Sequence, residues 1–278
     1  MAKAPSSPAD VLVAKLRKDL SDLASQARSA ELSPNGRKKL NLEIARAAGD
    51  LNDLLAELDP VKRPRAVFDP GNPRTIGFFI ALAITAQPRQ PLGSLPEFYG
   101  SGVYAIYYNG DYPLYAPLSR TETPIYVGQA APGNDNAQTP VEQGLRLCAR
   151  LNEHRKNIVR ASSLNIEDFE CRALVVQTGW ETGAEDYLIR LFRPIWNSET
   201  KLVFGLGKHG DSAETRKNKR SPWDTLHEGR EWAGAGTIVD AKSPERIEEE
   251  LRTHFERRPV YRTVEEVLSG FVESLRQT

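Results

Sequence analysis

Apolar residues recur at alternating steps of three and four along 9–30, at Val13, Leu16, Leu20, Leu23, Ala27 and Ala30. The spacing returns over 37–58 at Leu40, Ile44, Ala47, Leu51, Leu54 and Leu58, after Ser33-Pro34-Asn35-Gly36. This period predicts two amphipathic helices, and the Pro-Asn-Gly stretch predicts a turn between them, so the chain opens with an antiparallel helical hairpin. Such a hairpin either packs on the domain that follows or serves as an arm for a dimer or partner. Residues 60–75 read as loop, with Pro60, Pro64, Pro70, Gly71 and Pro73. The apolar run from Ile76 to Ala86 reads as a buried helix, and at eleven residues it is too short to span a bilayer.

From Gly102 the texture changes. GVYAIYYN (102–109) and PIYVGQA (124–130) are rich in aromatic and β-branched residues, which predicts strands. Residues 141–160 return to helix, with Leu147, Leu151 and Ile158 as its apolar stripe and Arg146, Arg150 and His154 on another face. DFECRALVVQ (168–177) predicts a third strand, and ETGAEDYLIRLF (181–192) a helix stopped by Pro194. An irregular, glycine-containing stretch follows over 198–235, then a helical tail.

The 278 residues suit one large domain with helical additions. Lys plus Arg and Asp plus Glu both total 37, so any affinity for phosphates has to come from local clusters. Two clusters exist: Arg146, Arg150, Arg155, Lys156 and Arg160 against Glu153, and Arg216 to Arg220. Cys148 and Cys171 lie within predicted core elements, which implies reduced thiols and a cytoplasmic setting. The N-terminus lacks the basic-then-apolar plan of a secretory signal.

The order strand, strand, helix, strand, helix over 102–197 carries a specific likeness. GVY at 102–104 and YVG at 126–128 resemble the two tripeptides that name the GIY-YIG nucleases, each with Val for Ile. RLNEH at 150–154, Glu185 on the next helix and Asn197 beyond it follow in the family's order. FYGSGVYAIYY, PIYVGQAAPG, DFECRALVV, RPIWN and SPWDTLHEGREWA narrow the resemblance, over roughly 66–233, to the restriction-endonuclease branch. The resemblance implies an α+β fold, a small mixed and mainly antiparallel sheet flanked by helices; the helical hairpin read from the periodicity precedes it and is not needed for the likeness. It implies hydrolysis of double-stranded DNA at a short GC-rich palindrome such as CCGCGG, with Mg²⁺ as cofactor and Mn²⁺ able to substitute. A palindromic site cut by chains with one active site each implies a homodimer on DNA. The short apolar run implies no membrane association, and the restriction-enzyme resemblance implies a cognate methyltransferase in the host. The chain then divides into the hairpin (1–60), a helical and loop lead-in (61–101), a catalytic core (102–197), a DNA-reading segment (198–235) and a helical tail (236–278).

The chemistry assigns candidate residues. A hard divalent cation prefers carboxylate oxygen and keeps several waters, so Glu185 alone suffices as its protein ligand. Arg150 and His154, one helical turn apart, can face one phosphate, Arg as a charged donor fork and His as a proton relay. The resemblance implies Tyr104 as general base, Tyr126 as a phosphate contact and Asn197 as an anchor. A phenol titrates near 10, so Tyr104 needs nearby cations to lower it. Further candidate DNA contacts are Arg146, Arg155, Lys156, Lys208, His209, Arg216, Lys217, Lys219, Arg220 and Arg230. Each candidate has a plainer structural reading. Glu185 fits a capping box with Thr182, the tyrosines fit half-buried strand positions, and the cations fit solvated faces. Two rival functions are a monomeric GIY-YIG nickase of repair or mobile elements and a non-catalytic DNA-binding module on the same fold.

Overall fold

The computed structural model describes residues 7–29, 33–61, 69–206, 219–234 and 238–276. It divides into two compact units, Met1–Arg65 and Ala66–Thr278.

The first unit contains α1 (Pro8–Ser29) and α2 (Pro34–Leu58). Ser33 caps α2 by accepting the Gly36 N–H at 3.2 Å, and Pro34 takes a first-turn position whose missing N–H costs nothing. The Pro-Asn-Gly stretch is therefore the first turn of a helix rather than the turn its residues predicted. No residue of α1 is buried, and Leu20, Ile44 and Leu54 of the heptad stripe stay 43–49% exposed.

The second unit runs α3 (Pro73–Thr85), β1 (Gln90–Pro91), β2 (Gly102–Tyr108), β3 (Tyr126–Ala130), α4 (Pro140–Gln143), α5 (Arg146–Arg160), β4 (Phe169–Val175) and α6 (Glu181–Phe192). It continues with β5 (Lys219–Arg220), α7 (Pro222–Leu226), β6 (Val239–Asp240), α8 (Pro244–Arg257) and α9 (Val264–Arg276). β1 to β4 form an antiparallel sheet of order β1-β4-β2-β3, and β5 pairs with β6 in parallel. The helix expected over 141–160 is broken, because Gly144 adopts φ +79° and ends α4 before α5 begins.

Alternation along the strands sorts the core onto two faces. On one face Tyr104, Ile106 and Tyr108 of β2 join Leu147, Leu151 and Ile158 of α5. On the other, Val103, Ala105 and Tyr107 join Val127 of β3, Ala184 and Leu188 of α6, and Phe78 of α3. β2 is thus buried throughout, which explains its unbroken apolar run. α3 approaches α6 at a glycine pair: a Cβ on Gly77 would lie 2.5 Å from the Gly183 carbonyl oxygen. This contact fixes the first turn of α6.

Two stretches are more integral than their patterns predicted. In 198–235, Val203, Leu206 and Trp223 are fully buried in the main core. In the tail, Val267 and Phe271 of α9 close the face occupied by α3 and α6. Both cysteines are buried and unbridged.

Candidate active site

β3 is an edge strand of the sheet, opposite β1, and its alternation splits the candidate residues between two faces. Tyr126 points towards α5, while Val127 points towards α6. Groups from α5 and α6 can meet only around that edge, and there they do. The Tyr104 hydroxyl lies 2.7 Å from His154 Nε2, and both residues are fully buried. The ring of Tyr126 sits 4.8 Å from that of His154 and 6.1 Å from that of Tyr104. Arg150 is close enough to both tyrosine hydroxyls to act on their ionisation, and is itself ion-paired with Glu153 at 2.7 Å. From the other face, Glu185 acts electrostatically on Tyr126.

The glycines of the two tripeptides have direct jobs. A Cβ on Gly128 would lie 2.5 Å from Tyr104 Cζ, closer still to the Tyr104 hydroxyl, and 3.0 Å from Tyr126 Cε1. Gly102, at φ +150°, leaves room for the Leu174 carbonyl of β4. Asn197 closes β3 from outside the sheet: its Oδ1 accepts the Val127 N–H at 3.0 Å and its Nδ2 donates to the Val127 carbonyl at 2.8 Å. An edge strand that would otherwise show both groups is thereby pinned, with Tyr126 on it.

The electrostatics separate the groups. Burial and the neighbouring Tyr126 hold the Tyr104 phenol well above its ordinary value, and Arg150 only partly opposes them. This reverses the requirement that cations lower it. Burial likewise raises Tyr126, against the pull of Arg150. Burial pulls Arg150 down, but Tyr104, Glu153 and Tyr126 outweigh it, so the guanidinium stays charged. Burial pushes the Glu185 carboxyl up to about 7, with Glu199 and Asp186 adding to it and the nearby Gln129 side chain and backbone N–H opposing it. Glu185 does not cap its helix. α6 begins at Glu181 after Trp180, which makes no side-chain cap, and Thr182 is already inside the helix. The capping-box reading therefore fails.

The cationic candidates separate too. Lys208, His209, Arg216 and Lys217 lie outside the described residues. Lys156 and Lys219 are exposed. Arg146, also exposed, donates to the Ala131 carbonyl at 2.9 Å, and half-buried Arg155 to the Gly93 carbonyl at 3.1 Å. Arg220 is held by the Ala233 carbonyl and Asp240. Arg230 departs from expectation most: it is 3% exposed. Its Nε meets Asp224 at 2.5 Å, its guanidinium donates to the Gly205 and Leu206 carbonyls, and it stacks on Trp223. A guanidinium committed to buried acceptors does not reach a phosphate, so Arg230 ties Gly205 and Leu206 to Asp224 and Trp223 within the core. Tyr107 and Tyr108, further along β2, take no part in the Tyr104–His154 pair. Tyr107 lies beneath Arg89 and Arg172, and the Tyr108 hydroxyl accepts the Tyr112 N–H.

The donor set suits a hard cation. Among the described residues no three His, Cys, Asp or Glu side chains gather as a metal cage, which a zinc site would need. One half-buried carboxylate, Glu185, suits Mg²⁺, which retains its waters.

A small antiparallel sheet with tyrosines on adjacent strands, an Arg and a His on one flanking helix and Glu185 on the other defines the GIY-YIG nuclease class. A family profile described as Eco29kI GIY-YIG domain matches residues 96–255, more than half of the 278, and the chain belongs to this restriction-endonuclease GIY-YIG family. No individually curated protein matches the chain. A nuclease domain of this family makes DNA the substrate. No helix among the described residues is long and apolar enough to cross a membrane. The pattern reading passed over Gln129, beside Glu185, although strand alternation places it with Val127 on the α6 side.

Proposed function

We propose that this chain is a type II restriction endonuclease that hydrolyses double-stranded DNA at a short GC-rich palindrome, with CCGCGG the first site to test and Mg²⁺ or Mn²⁺ as cofactor. The observation that supports it is the convergence at the edge of β3: the 2.7 Å Tyr104–His154 pair with Tyr126 and Arg150 on one side, and Glu185 on the other. Tyr104 and His154 act as one base. Burial disfavours a free tyrosinate, so Tyr104 takes a proton from the attacking water as its own passes to His154 Nε2. Arg150 and the Tyr126 hydroxyl donate to the non-bridging oxygens of the scissile phosphate, where charge grows in the transition state. Asn197 keeps β3, and so Tyr126, in register. Glu185 would hold the divalent cation, which would supply Lewis-acid stabilisation of the charge that develops on the phosphate and the leaving oxygen.

One chain carries one such set, so cutting both strands of a palindrome takes two copies related by a twofold axis. The half-solvated hairpin stripe is the candidate arm for that pairing. Exposed Arg146, Lys156 and Lys219 contact phosphates, with Lys208, His209, Arg216 and Lys217 as candidate base readers. The chain works in the cytoplasm, beside a methyltransferase that protects the host's own sites.

The test is digestion of a supercoiled plasmid of known sequence with Mg²⁺, followed by mapping of the ends. Linear product with both ends at one palindrome is expected. A nicked circle as the end product would favour the monomeric nickase instead, and binding without cleavage would favour a non-catalytic module.

A further inference from the structure

Gln129 lies one residue beyond the second tripeptide, on the α6 side of the edge strand. Its neighbours there come from one turn of α6. Its amide is 3.2–3.4 Å from the Thr182 hydroxyl, and its side chain and backbone N–H lie close enough to the Glu185 carboxylate to favour the charged form. The chemistry of the groups orients the amide. A carboxylate only accepts, so Nε2 faces Glu185, which leaves Oε1 to accept the Thr182 hydroxyl proton. The backbone donor is available because β3 is an edge strand and its outward N–H groups have no sheet partner. Thr182 and Glu185 are three apart on α6 and share a face, so one amide spans the turn that carries the carboxylate. That turn is itself fixed, by the Gly77–Gly183 contact and by buried Glu181, which accepts the Ser101 hydroxyl and the Gly179 N–H.

We infer that Gln129, oriented by Thr182, is a positioning residue that holds the Glu185 carboxylate in the rotamer that presents its outer oxygen to the divalent cation. The inference rests on Glu185 being the metal ligand. Glu185 stands among like charges, Glu199 and Asp186, so an unrestrained carboxylate would swing towards solvent. The amide and backbone donors of Gln129 counter that. Partners of this kind, one bond removed from a metal, commonly contribute about 10–100-fold in metal affinity or activity.

The experiment compares wild type with Gln129→Met, which keeps the shape and removes the amide, and with Thr182→Val, which removes only the orienting hydroxyl. Single-turnover cleavage is titrated with Mg²⁺. Binding of Mn²⁺ to each protein–DNA complex is measured by electron paramagnetic resonance, and metal-free DNA binding and thermal melting are followed in parallel. Gln129→Met should need roughly tenfold or more Mg²⁺ for half-maximal rate and bind Mn²⁺ correspondingly less tightly. Its rate should largely recover at saturating metal, with unchanged melting and DNA binding. Thr182→Val should shift the same way by less. Wild-type metal dependence in both variants would overturn the role of Gln129, as would a rate loss that saturating Mg²⁺ does not restore. A wild type that binds no Mn²⁺ would instead sink the Glu185 ligand reading. If Gln129→Met melts early, the exposed Thr182→Val carries the decision.

Discussion

Gly128→Ala adds one methyl group at the most crowded point of the site, and its effect can be worked out in advance. The new Cβ would stand 2.5 Å from Tyr104 Cζ, nearer to the hydroxyl, and 3.0 Å from Tyr126 Cε1. Ordinary carbon contacts are about 3.5–4.0 Å, so something has to give by about 1 Å. β3 is tied to β2 by its ladder and to Asn197 by two hydrogen bonds. The Tyr104 ring is therefore the part that moves. A displacement of about 1 Å takes the 2.7 Å Tyr104–His154 bond out of effective hydrogen-bond geometry. Misplacement of that size costs about 100-fold in rate, and the overpacking costs about 1–3 kcal/mol of stability. Single-turnover cleavage at saturating Mg²⁺, well below the melting temperature, separates the two. Tyr104→Phe alone should lose about 100- to 10,000-fold, and the double variant should be no slower than Tyr104→Phe, because both changes disable one hydroxyl. If Gly128→Ala cleaved within threefold of wild type, the geometry assigned to Tyr104 would be wrong.

Asn197→Asp removes the Nδ2 donor and sets a carboxylate oxygen against the Val127 carbonyl. It should cost about 1–3 kcal/mol in urea unfolding and slow cleavage at the same time. His227 is buried between Tyr115 and Ser163, and burial followed by Arg230 lowers it to about 3. Below its unfolded value near 6.5, only the unfolded chain takes up that proton, so stability is lost as pH falls. The loss by pH 5 should be about 2 kcal/mol, and His227→Gln should reduce the difference in unfolding free energy between pH 7 and pH 5 by about that amount. Arg230→Ala leaves Asp224 buried without its cation and should cost about 3–5 kcal/mol. The salt dependence of DNA binding should keep its slope, because no phosphate contact is lost.

The central elements were legible because local pattern and tertiary role coincide in them. β2 and β3 show β-branched and aromatic runs, and α6 runs over 181–192 as its period and Pro194 predicted. The elements that departed did so where partners come from distant parts of the chain. Arg230 looks like one more cation beside a basic run, yet its acceptors are Asp224 and two carbonyls of 205–206. Gly144 sits inside a helical period, and only its positive φ reveals the break. Ser33-Pro34 reads equally well as a turn or as a helix start, and the cap to Gly36 decides for the helix. Gln129 carried no signal of its own type. Its meaning comes from the edge position of β3 and from the turn of α6 that lies against it.

The most direct test of the account pairs cleavage with binding in Glu185→Gln, a change that keeps size and removes the charge that would hold the cation. Supercoiled plasmid is incubated with wild type and variant in Mg²⁺, and binding to the same DNA is measured alongside. The account predicts discrete linear product from wild type, and from the variant near wild-type binding with uncut plasmid. Cleavage by Glu185→Gln at close to the wild-type rate would contradict it.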